Sequence, residues 1–338
     1  MKTVKRIVAF LIGLVFFVAG LLKLMDPVGA GLVVEEYFKF LHLGFMLPAA
    51  KAVGVGMAFF ETVLGAALMS GVWPRVVGVI SGVVIAGFTI LTLVLWRVNP
   101  PMDCGCFGEA VHLTHSQSFI KNVVLCLMWI LAFLPFKSVL KPRAVKYVSF
   151  GIAFLSIAAF CIFALRGIPA IDFTSFKPGV TLMQAEDNPS PDSPLLSICD
   201  SSGEYRDELL ASGHVLVLSA YDYDVLSPER KARLDEWRAS FGGSVPVYLV
   251  VSGTDIPGDA FTSDRRNLMT INRSNGGATL LSDGLIIAKW PRHELPTPER
   301  IAELMPLDPT ESMIKANTPK RLKLQGFLLY VTAVLLLL

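Results

Sequence analysis

Residues 76–96 read VVGVISGVVIAGFTILTLVLW, twenty-one positions without a charge, closed at each end by an arginine, Arg75 and Arg97. About 20 predominantly apolar residues are needed for a helix to cross the hydrocarbon core of a bilayer. The stretch meets that length, and four more do the same around it. Ile7–Met25 carries one lysine near its end, Val53–Ser70 one glutamate inside it, and Phe119–Phe136 ends at a proline. Tyr147–Leu165 lies between Lys146 and Arg166. A sixth run, from Leu324 to Leu338, is a shorter span or part of one. The 338-residue chain is 53% hydrophobic and only 17% charged, which fits a membrane protein better than a soluble one. Its formal charge of +2 gives no basis for nucleic-acid binding.

The first run follows a basic start (Lys2, Lys5, Arg6), as a secretory signal would, but its apolar stretch is long for a cleaved signal. It is read as a retained span. Lysines and arginines in short loops favour the cytoplasmic side. Lys2, Lys5 and Arg6, then Arg75, then Lys137, Lys141, Arg143 and Lys146 all fall on one side when the N-terminus is cytoplasmic. Residues 26–52, 97–118 and the long stretch after 166 then face outward.

The outward loop 97–118 contains PMDCGCFGEA at 101–110, where Cys104 and Cys106 flank Gly105. In an oxidising compartment disulfides form and persist. Thiol–disulfide exchange needs a thiolate, a reachable sulfur and access. Gly105 lets the backbone bend enough to bring the sulfurs together. A bridge across one residue departs from relaxed geometry and is expected to be readily reduced. Arg97 and Lys121, at the loop-facing ends of two spans, are candidate thiolate stabilisers, and Asp103 opposes them. Two other readings remain: a structural bridge or turn, and a metal site completed by His112 and His115. Zinc usually takes four ligands, and this set is short of well-placed ones.

Cys126 and Cys161 lie within spans and fit small packing residues, although Cys126 is also a candidate relay. Cys199, near the first strand of the later region, is a core residue or a second relay. Glu61 is a carboxylate inside a span, which by default marks function or a packing pair, and Lys23 is its expected partner. Between the first two spans, VVEEYFKFLHLGFML (33–47) reads as an interfacial helix roofing the bundle.

After the fifth span, KPGVTLMQAEDNPSPDSP (177–194) has linker composition. Then HVLVLSA (214–220) reads as a buried strand. SPERKARLDEWRASF (227–241) is a helix capped by Ser227 with Pro228 in its first turn. VPVYLVV (245–251) is a second strand, and residues 277–290 form a hairpin around SDG. TPERIAELM (297–305) closes as a helix capped by Thr297. That order is the order of a thioredoxin-like domain.

The stretches FVAGLLKLMDP (17–27), FFETVLGAAL (59–68) and LWRVNPPMDCGCFGEAVHLTHSQSFIKNVVL (95–125) resemble the DoxX-like membrane proteins, and within them the MauE branch. The region around TINRSNGGATLLSDGLIIAKW (270–290) resembles a degenerate thioredoxin domain fused to such proteins in Bacteroidota-type bacteria. The resemblance implies a polytopic α-helical membrane bundle, a four-helix core plus additional spans, with an extracytoplasmic α/β thioredoxin-like domain. The expected division is 1–140 for the bundle, 145–166 for a fifth helix, 167–194 for a linker, 195–306 for the thioredoxin-like domain and 324–338 for a last span.

The resemblance further implies a bacterial inner-membrane component of disulfide formation in periplasmic clients. Cys104 and Cys106 would be its redox pair, with Gly105, Asp103, Arg97, Lys121 and Asn122 around it. A thioredoxin-like partner and a membrane quinone are implied by relatives alone, and no residue pattern demands the quinone. In the soluble region the place of a thioredoxin cysteine pair reads AYDYDVLSPER (220–230), without cysteine, and Gly276 stands where the fold places its cis-proline. That domain is therefore expected to dock rather than react. The alternative is a non-catalytic assembly factor whose Cys-Gly-Cys loop is structural.

Overall fold

The structure, a computed structural model, describes residues 2–135, 142–182 and 194–338. It forms two compact units, one of residues 1–166 with 327–338, the other of residues 167–326.

The first unit is helical. It contains α1 (Lys2–Met25), α2 (Pro27–Phe40), α3 (Ala50–Ser70), α4 (Pro74–Val98), the short strand β1 (Cys106–Glu109), α5 (His115–Phe133) and α6 (Ala144–Arg166). Five helical stretches are long and apolar enough to cross a membrane: Thr3–Met25, Gly44–Ser70, Pro74–Val98, His115–Phe133 and Ala144–Arg166. Their ends follow local chemistry. Pro74 sits in the first turn of α4, and Asn99, in left-handed conformation, ends it before two prolines. Thr114 and Gln117 form a reciprocal capping box on α5. α5 ends at Phe133, before Pro135, and Phe136 lies outside the described residues, as do Lys137 and Lys141 of the expected cytoplasmic loop.

Helix α1 runs through the middle of the unit and buries Ile12, Phe17 and Leu24 completely. It meets α3 at backbone contact. A β-carbon on Gly65 would stand 2.3 Å from the Phe17 backbone nitrogen, so only glycine allows this approach. α4 and α6 expose Val79, Val83, Ile90, Val148 and Leu155. Exposed apolar ridges on that scale suit lipid rather than water. The interfacial segment is longer than the sequence suggests. α2 begins at Pro27, where the Asp26 carboxylate accepts from the Gly29 amide at 2.9 Å, and it packs against α3.

The second unit is built on a five-stranded mixed sheet in the order β4-β3-β2-β5-β6. Its strands are β2 (His214–Ala220), β3 (Val247–Val251), β4 (Phe261–Thr262), β5 (Gly277–Ser282) and β6 (Leu285–Trp290). β2 runs parallel to β3 and antiparallel to β5, in register Leu216↔Val247 and Leu218↔Ala278. Asp283 (φ 49°) and Gly284 (φ 76°) both take positive φ, the pairing a two-residue hairpin turn requires. The helices are α7 (Pro228–Ala239), α8 (Arg265–Ile271), α9 (Pro298–Ala302) and the first part of α10 (Pro309–Leu337), whose residues from 327 on belong to the first unit. Within α10, Leu322–Leu337 is apolar but shorter than the five candidate spans.

Two expectations change. Ser227 occupies the N-cap of α7 but its side chain makes no capping bond, whereas Thr297 accepts from the Arg300 amide. The first part of the expected linker, 167–182, belongs to the sheet unit. Gly179 donates to the Ile286 carbonyl at 2.8 Å, and Ile286 donates back to Val180 at 2.9 Å. The physical reason is Lys289, buried in β6, whose ammonium lies 2.6 Å from the Asp172 carboxylate. A buried cation needs a partner, and residues 167–182 bring it. Residues 183–193 of the linker lie outside the described residues.

Candidate functional site

The loop after α4 is held down along its backbone. The Tyr37 hydroxyl of α2 donates to the Cys104 carbonyl at 2.8 Å. Gly105, at φ +63°, lies so close to α2 that a β-carbon there would stand 2.2 Å from Val33 Cγ1. Gly108 faces the Lys23 backbone of α1. These contacts place both sulfurs beside a partly open cavity of about 260 Å³ among α1 to α5. Its walls are apolar, with Phe16, Val34, Phe38, Phe88, Leu91 and Leu125 prominent. Lys23, Glu61, Lys121, Asn122, Tyr37 and both loop cysteines supply its polar groups.

Cys104 and Cys106 are free thiols whose sulfurs stand 2.8 Å apart. Cys104 is buried and Cys106 half-buried. The hydrogen bond from the Cys104 thiol, together with the charges of Lys121 and Lys23, outweighs burial and brings Cys106 down to about 5. Donating that bond, its own burial and the negative charge on its neighbour push Cys104 far up. The pair therefore divides into a thiolate and a thiol, the state from which exchange starts. Lys121 also lies over the Phe107 ring, 5.1 Å from its centroid, which fixes the ammonium near the loop.

Lys23 Nζ lies 2.9 Å and 2.7 Å from the two oxygens of Glu61, whose side chain is only 4% exposed. Asn122 donates to the Phe88 carbonyl and to Thr92 Oγ1, both at 3.1 Å, and so ties α5 to α4 at the cavity wall. Other candidates stand elsewhere. Arg97 is exposed at the end of α4 and does not line the cavity, so the position expected of it is taken by Lys23. Asp103 faces His112, 3.1 Å from its Nδ1. His115 Nε2 bonds the Pro100 carbonyl.

His112 lies in the loop and His115 opens α5, so the two share no helical face. Among the described residues no group of three or more His, Cys, Asp or Glu side chains is placed to hold a metal ion. Cys126 lies five residues, about 7.5 Å along the axis, beyond Lys121. It sits 3.3 Å from Thr89 Oγ1, packed against the apolar core, and does not line the cavity. Cys199 belongs to the second unit, where its backbone bridges Thr262 and burial pushes its thiol up.

Sequence reasoning missed Tyr37 and Val33. Both lie in the mixed aromatic and charged stretch 33–47, whose composition signalled an interface but not that α2 would hold the loop.

A bundle of apolar helices with a dithiol loop against its inner cavity defines a polytopic membrane protein. Residues 1–135, which contain α1 to α5, the loop and the cavity, match the family described as Methylamine utilisation protein MauE. No curated protein matches the chain.

Proposed function

We propose that this chain is a membrane thiol–disulfide oxidoreductase component, and that Cys104 and Cys106 pass disulfides to or from extracytoplasmic proteins. The observation that carries the reading is the split pair itself: two free sulfurs 2.8 Å apart at the edge of an apolar cavity. In exchange with a client, the client's first thiolate opens the Cys104–Cys106 bond and forms a mixed disulfide. Its second thiol then displaces the loop, so two electrons pass from client to loop; one of the client's two protons stays on Cys104 and the other goes to water, leaving Cys106 as the thiolate. Electrons leave the loop by a quinone in the cavity or by a soluble thioredoxin-like partner. The cavity suits a ring-sized apolar head: about 260 Å³ lies just below the ~300 Å³ at which small-molecule sites begin.

The second unit supports a docking role. Its β2-α7-β3 segment followed by the β5-β6 hairpin, in sheet order β3-β2-β5-β6, supports reading it as thioredoxin-like. The segment after β2, residues 221–227, has no cysteine, and Gly276 precedes β5. We place the N-terminus in the cytoplasm and the loop on the outer side of a bacterial inner membrane, on the distribution of lysine and arginine. Methylamine metabolism is no part of the proposal, because a similarity over 135 residues carries no substrate.

Thiol trapping in intact cells tests the reading. The Cys104→Ser variant should accumulate client-linked species through Cys106, the acidic and more accessible sulfur. No such species, together with normal envelope-protein oxidation in Cys104→Ser/Cys106→Ser cells, would favour the scaffold alternative.

A further inference from the structure

The proton count at the cavity does not close on the dithiol alone. A quinone that takes two electrons also takes two protons. Because the thiolate is the nucleophile, the reacting pair enters as Cys106 thiolate and Cys104 thiol and brings only one. The second proton comes from another group at the cavity. The titratable groups there are Lys23 on α1, Tyr37 on α2, Glu61 on α3 and Lys121 on α5, and α4 contributes only Phe88, Leu91 and Thr92.

Glu61 accepts from Lys23 on both oxygens and has no proton of its own to give. The Tyr37 proton is committed to the Cys104 carbonyl. Lys121 lies over the Phe107 ring and hydrogen-bonds the Cys106 sulfur, whereas Lys23 acts on that thiolate through its charge alone. Lys23 remains, an ammonium with three N–H donors of which two point to Glu61.

Resting on the dithiol reading above, we infer that Lys23 is the proton donor to a quinone-class acceptor in this cavity, held in position by Glu61. The step balances. The Cys104–Cys106 bond forms and the Cys104 S–H bond breaks. Two electrons pass to the acceptor, and its two oxygens take one proton from Cys104 and one from Lys23. Water then returns the proton to Lys23. Lys23 acts on the reacting atoms, and Glu61 acts through Lys23 as a positioning residue.

The test uses the reduced full chain in lipid nanodiscs, mixed rapidly with ubiquinone-1 or with glutathione disulfide. Disulfide formation is read by acid-quenched alkylation, and ubiquinone-1 binding by calorimetry. In Lys23→Met and Lys23→Arg the quinone rate, relative to the glutathione-disulfide rate, should fall on the order of 100-fold, the scale of general acid catalysis. Ubiquinone-1 binding should persist in Lys23→Arg. Arginine keeps the charge beside Glu61 but does not release a proton, so a wild-type ratio in Lys23→Arg overturns the donor role. The unaltered protein supplies a second check: its quinone reaction should slow in deuterium oxide, and equal rates in the two solvents overturn the inference. Wild-type protein oxidised by glutathione disulfide but neither binding nor oxidised by ubiquinone-1 removes this inference and leaves the dithiol reading standing. Oxidation by neither removes both.

Discussion

At the scale of the residue, the site depends on how one thiol is made acidic and how one glycine lets it come close. With Cys106 at about 5, its thiolate is populated from the ordinary thiol range down to that value and is lost as pH falls through it. Alkylation of Cys106 is therefore expected to stay level between about pH 6 and 8 and to fall below 5, while Cys104 stays inert. Lys121→Met should move the fall to higher pH, and peptide mapping after a pH-jump pulse of iodoacetamide reads both sulfurs.

Gly105→Ala should lower the melting temperature of the solubilised protein. A left-handed non-glycine residue costs about 1–2 kcal/mol, and the added carbon meets Val33 at 2.2 Å. Val33→Ala in the same chain should return the part due to the clash and leave the part due to φ, as thermal unfolding would measure. Lys23 and Glu61 could be paired on sequence alone because a carboxylate inside an apolar span demands a partner nearby. Tyr37 could not be read the same way. Its hydroxyl bonds a backbone carbonyl 67 residues away, and no side-chain pattern announces that.

At the scale of the element, the apolar runs mark their own helices because length and hydrophobicity alone set the requirement for a span. The five candidate spans of the structure contain the predicted ones, except that the fourth ends at Phe133, short of the predicted Phe136. The sheet was legible where period and turn chemistry agree, as in the β5–β6 hairpin around Asp283 and Gly284. The segment 167–182 was not, because its place beside β6 comes from the Lys289–Asp172 pair and backbone bonds that a proline-rich composition hides.

The packing of α1 on α3 makes its own prediction. Gly65→Ala forces a methyl against the Phe17 backbone and should destabilise the bundle by about 1–3 kcal/mol, the usual range for overpacking. Since Lys23 and Glu61 lie on these same two helices, the variant should also weaken ubiquinone-1 binding. Calorimetry with that quinone checks it, and unchanged binding would mean the cavity does not depend on the helix spacing.

At the scale of the whole molecule, orientation rests on charge placement alone. A membrane-impermeant maleimide added to intact spheroplasts should label reduced Cys106 and fail to label a cysteine introduced at Arg75 of a chain otherwise free of reactive thiols. The opposite pattern reverses the topology and moves the loop into the reducing compartment. The broad division into apolar helices and a mixed-sheet region was readable from hydropathy and period. The cavity was not, because it is made by residues from six segments between positions 15 and 125 that only packing brings together.

The bonds that hold the loop have a consequence for how it meets other proteins. Tyr37 grips a carbonyl, and Val33 abuts a glycine. Neither grip depends on whether a sulfur is reduced, oxidised or joined to another chain. Under the proposed exchange, the loop would be a stationary electrode rather than a swinging arm. The travelling in each cycle would then fall to the visitor, whose own cysteine would sit on a flexible tether.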